Sequence, residues 1–211
     1  MKVERVIVTG GTSGLGFELV NLFLERGAEV MSLGRAEGKV VHPGHSFYKC
    51  DFASLTQVSE TALQIAKKGK GIDLIINNAG ILSPPDFTTT MDGFELSYQV
   101  NFLAHVHFFQ ILREGGLLKK TMIINTTSPI RTRGKLEQDW IFDKNSYGTI
   151  KAYASTKLYM SLFTTHLAFL GFSSYAFDPG TFSSGIYRAQ NPWFHALYKV
   201  AAPFMVSSEN E

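Results

Sequence analysis

Short apolar runs alternate with longer amphipathic segments along most of the chain. The short runs predict buried β-strands, and the longer segments, with apolar residues every three or four positions, predict α-helices. Near-continuous apolar strands are typical of a parallel sheet covered by helices on both faces, and the alternation predicts a doubly wound α/β fold with ligands at the carboxyl ends of its strands. The predicted strands are 5–9, 29–33, 46–50, 72–76, 121–126 and 173–177, and the predicted helices are 14–26, 54–68, 93–113 and 152–170.

Composition narrows the possible functions. A chain of 211 residues with 45% hydrophobic residues suits one domain with a real core. A net charge of +2 speaks against nucleic acid as a partner, and scattered histidines speak against a metal site. No apolar run reaches the ~18 residues that span a membrane, and no signal peptide is evident. We therefore expect a cytoplasmic protein in which the single Cys50 is a buried, reduced core residue.

A glycine-rich segment, TGGTSGLG at residues 9–16, joins the first predicted strand to the first predicted helix. Glycines allow a tight turn, a close approach to a pyrophosphate and close packing of helix on strand, and the helix N-terminus offers N–H groups and a positive dipole end. The alternative is a flexible turn that binds nothing. The candidate phosphate-binding residues are Gly10, Thr12, Ser13, Gly14, Leu15 and Gly16.

Two Y-x-x-x-K patterns lie near the helix predicted at 152–170, one from Tyr147 to Lys151 and one from Tyr153 to Lys157. On a helix, positions i and i+4 share a face, where a lysine ammonium favours tyrosinate and lowers the tyrosine pKa. Such a tyrosine can exchange a proton with a substrate oxygen. The first pattern contains Gly148, a poor helix former, so the second is the stronger candidate.

Together these motifs resemble the short-chain dehydrogenase/reductase family over residues 6–180, with T-G-x-x-x-G-x-G as the cofactor loop. The resemblance implies a single Rossmann-type domain that moves a hydride between a nicotinamide cofactor and a carbonyl or alcohol substrate. It also implies that Tyr153 is the acid/base and that Lys157 lowers its pKa and holds the ribose. Ser128 then binds the carbonyl oxygen, and Asn101 anchors a water relay to the lysine.

Each of these residues has a simpler interpretation as well. Ser128 could be a strand-end serine in a turn before Pro129, and Asn101 could be a structural asparagine with satisfied hydrogen bonds. The whole chain could be an inactive relative that binds the cofactor as a redox sensor or scaffold. The complete set of Ser, Tyr, Lys and Asn favours the enzyme.

The resemblance implies further cofactor contacts. Asp51 matches the family aspartate at the adenine ring, NNAG at 77–80 lies along the ribose, and PGT at 179–181 lies beside the nicotinamide. After the second strand, Arg35 suits the 2′-phosphate of NADP, although the nearby Glu37 leaves NAD open. The remaining candidate cofactor residues are therefore Arg35, Asp51, Phe52, Asn78, Ala79, Gly80, Tyr153, Lys157, Pro179, Gly180 and Thr181.

Other segments bear on substrate and assembly. Residues 139–147 resemble the insertion of the retinol-dehydrogenase-like group, which handles bulky apolar carbonyls and alcohols. Residues 181–211 are expected to form a substrate lid, or else an aromatic helix that packs on the core, and Ser184 is the nearest match to the family threonine at the carboxamide. The lid's apolar side chains are Tyr187, Trp193, Phe194, Leu197 and Tyr198.

Three departures from the family pattern are expected. The connection at 36–46 is too short for the usual helix, and the family's last helix and seventh strand are apparently lacking. The turn near Gly171 is also tight. The helices at 93–113 and 152–170 pair subunits in many relatives, so a homodimer is expected.

Overall fold

The protein, described here by a computed structural model over residues 3–180, is built on a six-stranded parallel sheet with the strand order β3-β2-β1-β4-β5-β6. The strands are β1 (Arg5–Thr9), β2 (Glu29–Gly34), β3 (His45–Lys49), β4 (Leu74–Asn77), β5 (Met122–Thr126) and β6 (Ser173–Phe177). The helices are α1 (Gly14–Glu25), α2 (Leu55–Ala66), α3 (Leu96–Tyr98), α4 (Ala104–Glu114) and α5 (Thr149–Phe169), with short 3-10 turns at Pro129–Arg133 and Asp139–Ile141.

The core lies on both faces of this sheet, as the apolar strands predict. Side chains alternate along a strand, so Ile7 of β1 packs into one buried cluster while its neighbours Val6 and Val8 pack into another. A third cluster forms around Trp140 and Tyr159, where the segment after β5 packs against α5. The predicted doubly wound Rossmann-type fold is confirmed, and the carboxyl ends of all six strands meet at one edge of the sheet.

Several predicted boundaries were wrong by a few residues. The helix predicted at 93–113 begins at Leu96, because Gly93 has a positive φ of 85° and the Glu95 side chain caps the helix by accepting a hydrogen bond from the Tyr98 N–H. The helix predicted at 152–170 begins earlier, at Thr149, directly after Gly148. The strand predicted at 72–76 begins at Leu74.

Helix α3 runs into α4 through a π-helical turn, Gln99–Leu103, which sequence periodicity did not indicate. A π turn holds one residue more than an α turn and often lies at a functional site. Here it contains Asn101, one of the candidate catalytic residues.

The predicted absence of a helix between β2 and β3 is confirmed, since residues 35–44 cross from one strand to the next without one. No helix within residues 3–180 is long and apolar enough to cross a membrane. Thr181, Ser184 and the rest of the predicted lid at 181–211 lie outside the described residues. The homodimer stays a prediction; Leu162 and Phe169 of α5 are exposed in the single chain.

Candidate functional site

The glycine loop lies at the carboxyl end of β1 and is folded tightly against the neighbouring strands. Gly10 and Gly14 have positive φ values of 66° and 53°, a region that favours glycine. The N–H of Gly10 donates to the Leu33 carbonyl at 2.8 Å, which ties the loop to the end of β2. A Cβ on Gly16 would lie 2.2 Å from the Gly10 carbonyl oxygen, so only glycine fits where α1 starts.

The start of α1 is open to a ligand. The Ser13 side chain makes no capping hydrogen bond, and no acidic residue lies in the first turn, so the positive end of the helix dipole is not neutralised within it. An open cavity of about 390 Å³ lies beside it. Its lining includes residues that the sequence analysis did not select, and the full set is Thr12, Ser13, Gly14, Phe17, Glu18, Glu37, Gly38 and Lys39.

The second turn of the site, Asn78 to Gly80, is fastened to the glycine loop. The Thr9 hydroxyl accepts hydrogen bonds from the backbone N–H groups of Asn78 and Ala79, both at 2.9 Å. The Asn78 amide donates back to the Thr9 carbonyl at 3.0 Å and to the Gly10 carbonyl at 3.4 Å. The two predicted cofactor-binding segments therefore form one rigid unit, held by a Thr9 hydroxyl whose role the sequence analysis missed.

Two predicted adenine-side residues are placed differently from each other. Asp51 is half-buried at the end of β3, and its carboxylate accepts the N–H of Ala53 at 3.0 Å. The Phe52 side chain is buried and packs on the His105 ring with the centroids 4.8 Å apart. Phe52 could therefore contact a cofactor only through its backbone. Arg35, at the end of β2, is exposed.

Tyr153 and Lys157 lie one turn apart on α5, with the Lys157 Nζ 5.7 Å from the centre of the Tyr153 ring. The Lys157 side chain is buried, and its ammonium donates to the Thr126 carbonyl at 3.1 Å. A Cβ on Gly80 would lie 3.7 Å from Nζ, so the Asn78–Gly80 turn is within reach of the lysine. Burial lowers the pKa of Lys157 to about 8, against an opposing effect of the Asp178 carboxylate.

This lowered pKa predicts how stability changes with pH. Between about 8 and the ordinary lysine value of 10.5, the unfolded chain binds more protons than the folded chain, so the wild type gains stability as pH rises through this window. Lys157→Met removes the group and the gain. Thermal unfolding of both proteins, followed by circular dichroism, should show a melting-temperature difference that is constant below the window and shifts toward the wild type within it. Parallel pH dependences would contradict a lowered pKa.

Both polar atoms of the Asn101 side chain are hydrogen-bonded to neighbouring residues. Its side-chain oxygen accepts the N–H of Ile81 at 2.8 Å, and its amide donates to the Ile81 carbonyl at 2.9 Å and to the Thr156 hydroxyl at 3.1 Å. The side chain therefore has the satisfied structural bonds that the sequence analysis kept as an alternative. It holds the backbone just after the Asn78–Gly80 turn against α5.

Ser128 lies two residues beyond the end of β5, after Thr127, and is half-buried at the same edge of the sheet. It precedes the 3-10 turn Pro129–Arg133 without capping that turn through its side chain, and the Arg131 guanidinium donates to its carbonyl at 3.2 Å. The preceding Thr127 hydroxyl donates to the Lys157 carbonyl at 3.2 Å. These contacts hold the Ser128 backbone against the helix that carries Tyr153.

The competing Tyr147 lies before α5 rather than in it. Its hydroxyl donates to the Pro84 carbonyl, and its ring meets Phe87 edge-on at 5.6 Å between centroids. Burial and the neighbouring Glu95 carboxyl raise the pKa of Tyr147, which is the wrong direction for an acid/base near neutral pH. Tyr147 therefore links the segment before α5 to the loop that contains Pro84.

The last predicted segment, at 178–180, follows β6. Gly180 has a positive φ of 73°, and its N–H donates to the Asp178 carboxylate at 3.0 Å. Pro179 is half-buried. Within residues 3–180, no group of His, Cys, Asp and Glu side chains could hold a metal ion.

Comparisons with known proteins agree with this architecture. The short chain dehydrogenase family profile matches residues 4–174. Retinol dehydrogenase 13 of Mus musculus is 30% identical over 78% of this chain and 53% of its own length. Polyprenol dehydrogenase of Homo sapiens is 27% identical over 88% of this chain and 63% of its own length. The chain thus spans about half to less than two thirds of these relatives.

A solved structure shows the same fold. A short chain dehydrogenase from Burkholderia cenocepacia in complex with NADP superposes with a TM-score of 0.65 at 21% identity, over 91% of this chain and 79% of that one. The predicted family and its likeness to retinol dehydrogenases are both confirmed. The chain belongs to the short-chain dehydrogenase family.

Proposed function

We propose that the protein is an NADP(H)-dependent oxidoreductase that interconverts a carbonyl and an alcohol on an apolar substrate. One observation carries this proposal: Tyr153 and the buried Lys157 stand one turn apart beside the Asn78–Gly80 turn, which is fastened to the glycine loop. Cofactor and acid/base groups would therefore meet at the carboxyl edge of the sheet, where this fold binds ligands.

The residues present fit a dinucleotide. Gly16 leaves no room for a Cβ, the start of α1 is uncapped by Ser13, and an open cavity lies beside it. The loop from Gly10 to Gly16 would hold the pyrophosphate, and the Asn78–Gly80 turn with Lys157 would hold the ribose of the nicotinamide side. Pro179 and Gly180 would lie beside the nicotinamide, which donates or accepts a hydride when bound.

The protein's own residues would handle the proton. Ser128 would bind the substrate oxygen, and the Tyr153 hydroxyl would give it a proton or take one from it. The Lys157 ammonium would favour tyrosinate by its charge, because opposite charges at close range stabilise the ionised form. Asn101 would act through the Ile81 backbone and Thr156 to keep this helix and the turn in register.

The substrate class rests on the relatives. Two of them are named as a retinol dehydrogenase and a polyprenol dehydrogenase, which supports an apolar alcohol or its carbonyl counterpart. The segment 139–147, whose Trp140 and Ile141 are buried against Tyr159 of α5, is the part of the described chain that resembles this group.

Titration with NADPH and with NADH, followed by nicotinamide fluorescence, tests the cofactor proposal. We expect tighter binding of NADPH because Arg35 can pair with the 2′-phosphate. Arg35→Gln should weaken NADPH binding about tenfold and leave NADH binding nearly unchanged, since a charged hydrogen bond is worth roughly that factor. Arg26→Gln is the matched control, because this exposed arginine lies at the opposite end of α1.

The same titration can contradict the proposal. Binding of neither nucleotide by the wild type would mean that the glycine loop is a structural turn. If a nucleotide binds, consumption of NADPH with apolar aldehydes and ketones tests the reaction, and an unchanged nucleotide preference in Arg35→Gln would remove the NADP assignment.

A further inference from the structure

We propose that His105 is a positioning residue, which holds the Asn78–Gly80 turn through a hydrogen bond from its Nε2–H to the Ala79 carbonyl. His105 lies on α4 and is one of six histidines scattered along the sequence. The bond concerns this chain's own fold, and its consequence for the cofactor rests on the proposed function.

The protonation of His105 follows from its surroundings. The Nε2 atom lies 2.9 Å from the Ala79 carbonyl oxygen, which can only accept, so Nε2 must carry the proton. The other ring nitrogen, Nδ1, is buried and has no hydrogen-bond partner within residues 3–180. Burial and the charge of Lys157 lower the pKa of His105 to about 4, so the ring is a neutral donor.

The imidazole is also held in one orientation. His105 is completely buried, and the Phe52 ring packs on it at 4.8 Å between centroids, tilted by 46°. A buried imidazole that made no hydrogen bond would be costly compared with an apolar side chain of similar size. The hydrogen bond from Nε2 to the Ala79 carbonyl is therefore what a histidine contributes at this buried position.

Three side chains converge on this stretch of backbone from different elements. Thr9 at the end of β1 accepts hydrogen bonds from the N–H groups of Asn78 and Ala79. His105 of α4 donates to the Ala79 carbonyl. Asn101 of the π turn binds both the N–H and the carbonyl of Ile81. Neither Thr9 nor Asn101 bonds to the Ala79 carbonyl, which accepts its hydrogen bond from His105. Removal of the His105 donor would release the Ala79 carbonyl, while Thr9 still binds the N–H groups of Asn78 and Ala79.

The turn is hydrogen-bonded directly to the glycine loop, whereas its hydrogen-bonded link to α5 runs through Ile81 and Asn101. Asn78 reaches the Thr9 and Gly10 carbonyls, so a shift of the turn is passed to the glycine loop. Tyr153 is instead carried by α5, which Thr127 and Lys157 tie to β5. Loss of the His105 bond should therefore weaken cofactor binding and spare the chemical step.

Three variants test this inference. His105→Leu keeps an apolar side chain and removes the donor, whereas His105→Gln keeps an N–H near the position of Nε2. His107→Leu is the matched control, because His107 lies half-buried two residues along the same helix and bonds to Ser59 of α2 at 2.7 Å, away from the turn.

We expect His105→Leu to weaken NADPH binding about tenfold or more in the fluorescence titration, and His105→Gln to restore affinity to within about threefold of the wild type. Turnover at saturating NADPH should fall less than about threefold in both, so the effect lies in KM rather than kcat. His107→Leu should lower the melting temperature, because the bond to Ser59 is lost, and should bind NADPH normally. Wild-type affinity in His105→Leu, or equal losses in the Leu and Gln variants, would overturn the proposal.

A second measurement needs no cofactor and no variant. Nitrogen NMR of the wild-type imidazole at neutral pH should show a proton on Nε2 and a bare Nδ1. A proton on Nδ1, or on both nitrogens, would contradict the inference even if NADPH binds. Failure of the wild type to bind either nucleotide would instead refute the proposed function and leave this result standing.

Discussion

Replacing Tyr153 by Phe is expected to lower kcat about 10²–10⁴-fold, the range that one positioned acid/base group contributes. The change removes only the hydroxyl, and the ring remains on α5 beside Lys157. Steady-state rates with saturating NADPH and a saturating apolar carbonyl would show the loss in kcat, separate from any change in cofactor affinity.

Tyr147→Phe is the matched control for this prediction. It removes a hydroxyl from the competing Y-x-x-x-K pattern, where the hydroxyl donates to the Pro84 carbonyl. We expect reduced stability, because the Pro84 carbonyl loses a donor, and retained turnover. If Tyr153→Phe kept wild-type turnover, the assignment of the acid/base would be wrong, and a protein without turnover in either form would fit the sensor or scaffold alternative.

Gly16→Ala is expected to destabilise the fold by about 1–3 kcal/mol or more, the usual range for overpacking a tight site. The added Cβ would lie 2.2 Å from the Gly10 carbonyl oxygen and 2.6 Å from the Asn78 side-chain nitrogen. Because one contact is to backbone, a side-chain rotation cannot relieve it. Urea unfolding measures the loss, and NADPH titration should show weaker binding, since the glycine loop and the Asn78–Gly80 turn must both move.

Gly71→Ala provides the comparison for this steric argument. Gly71 is exposed before β4, and a Cβ there would meet only the Leu117 carbonyl at an ordinary 3.6 Å. Its unfolding midpoint should stay close to that of the wild type. Similar midpoints for Gly16→Ala and Gly71→Ala would mean that the glycine loop relaxes freely, contrary to the rigid unit described above.

The strands and helix α5 could be predicted because their signals are local. Val6 to Val8 are buried on both faces of the sheet and leave a continuous apolar run, and the glycine loop follows at once. Gly148 correctly separated Tyr147 from the helix of Tyr153, since α5 starts at the next residue. These features depend on a few neighbouring residues, which a sequence displays directly.

Other features depend on contacts between distant segments and left little trace in the sequence. The bonds of Thr9 and His105 to the Asn78–Gly80 turn join residues that are 69 and 26 positions apart. An apolar periodicity also gives no sign of a π turn, because one additional residue leaves the pattern nearly unchanged over a short window. The one usable signal was a histidine four positions after Asn101, in a helix whose other inward residues are apolar.

The π turn also constrains the number of residues that can connect α3 to α4. Each α-helical residue turns the chain by ~100°, so the one extra residue sets the orientation of α4 relative to α3 by about that angle. Upstream of it, Ser97 must meet Glu95 and Ser83, and downstream Phe108 and Leu112 must face the core. After a single-residue deletion within Gln99–Leu103, either the Ser97 contacts or the core contacts of Phe108 and Leu112 could form, but not both. This segment should therefore accept substitutions more readily than any change in length.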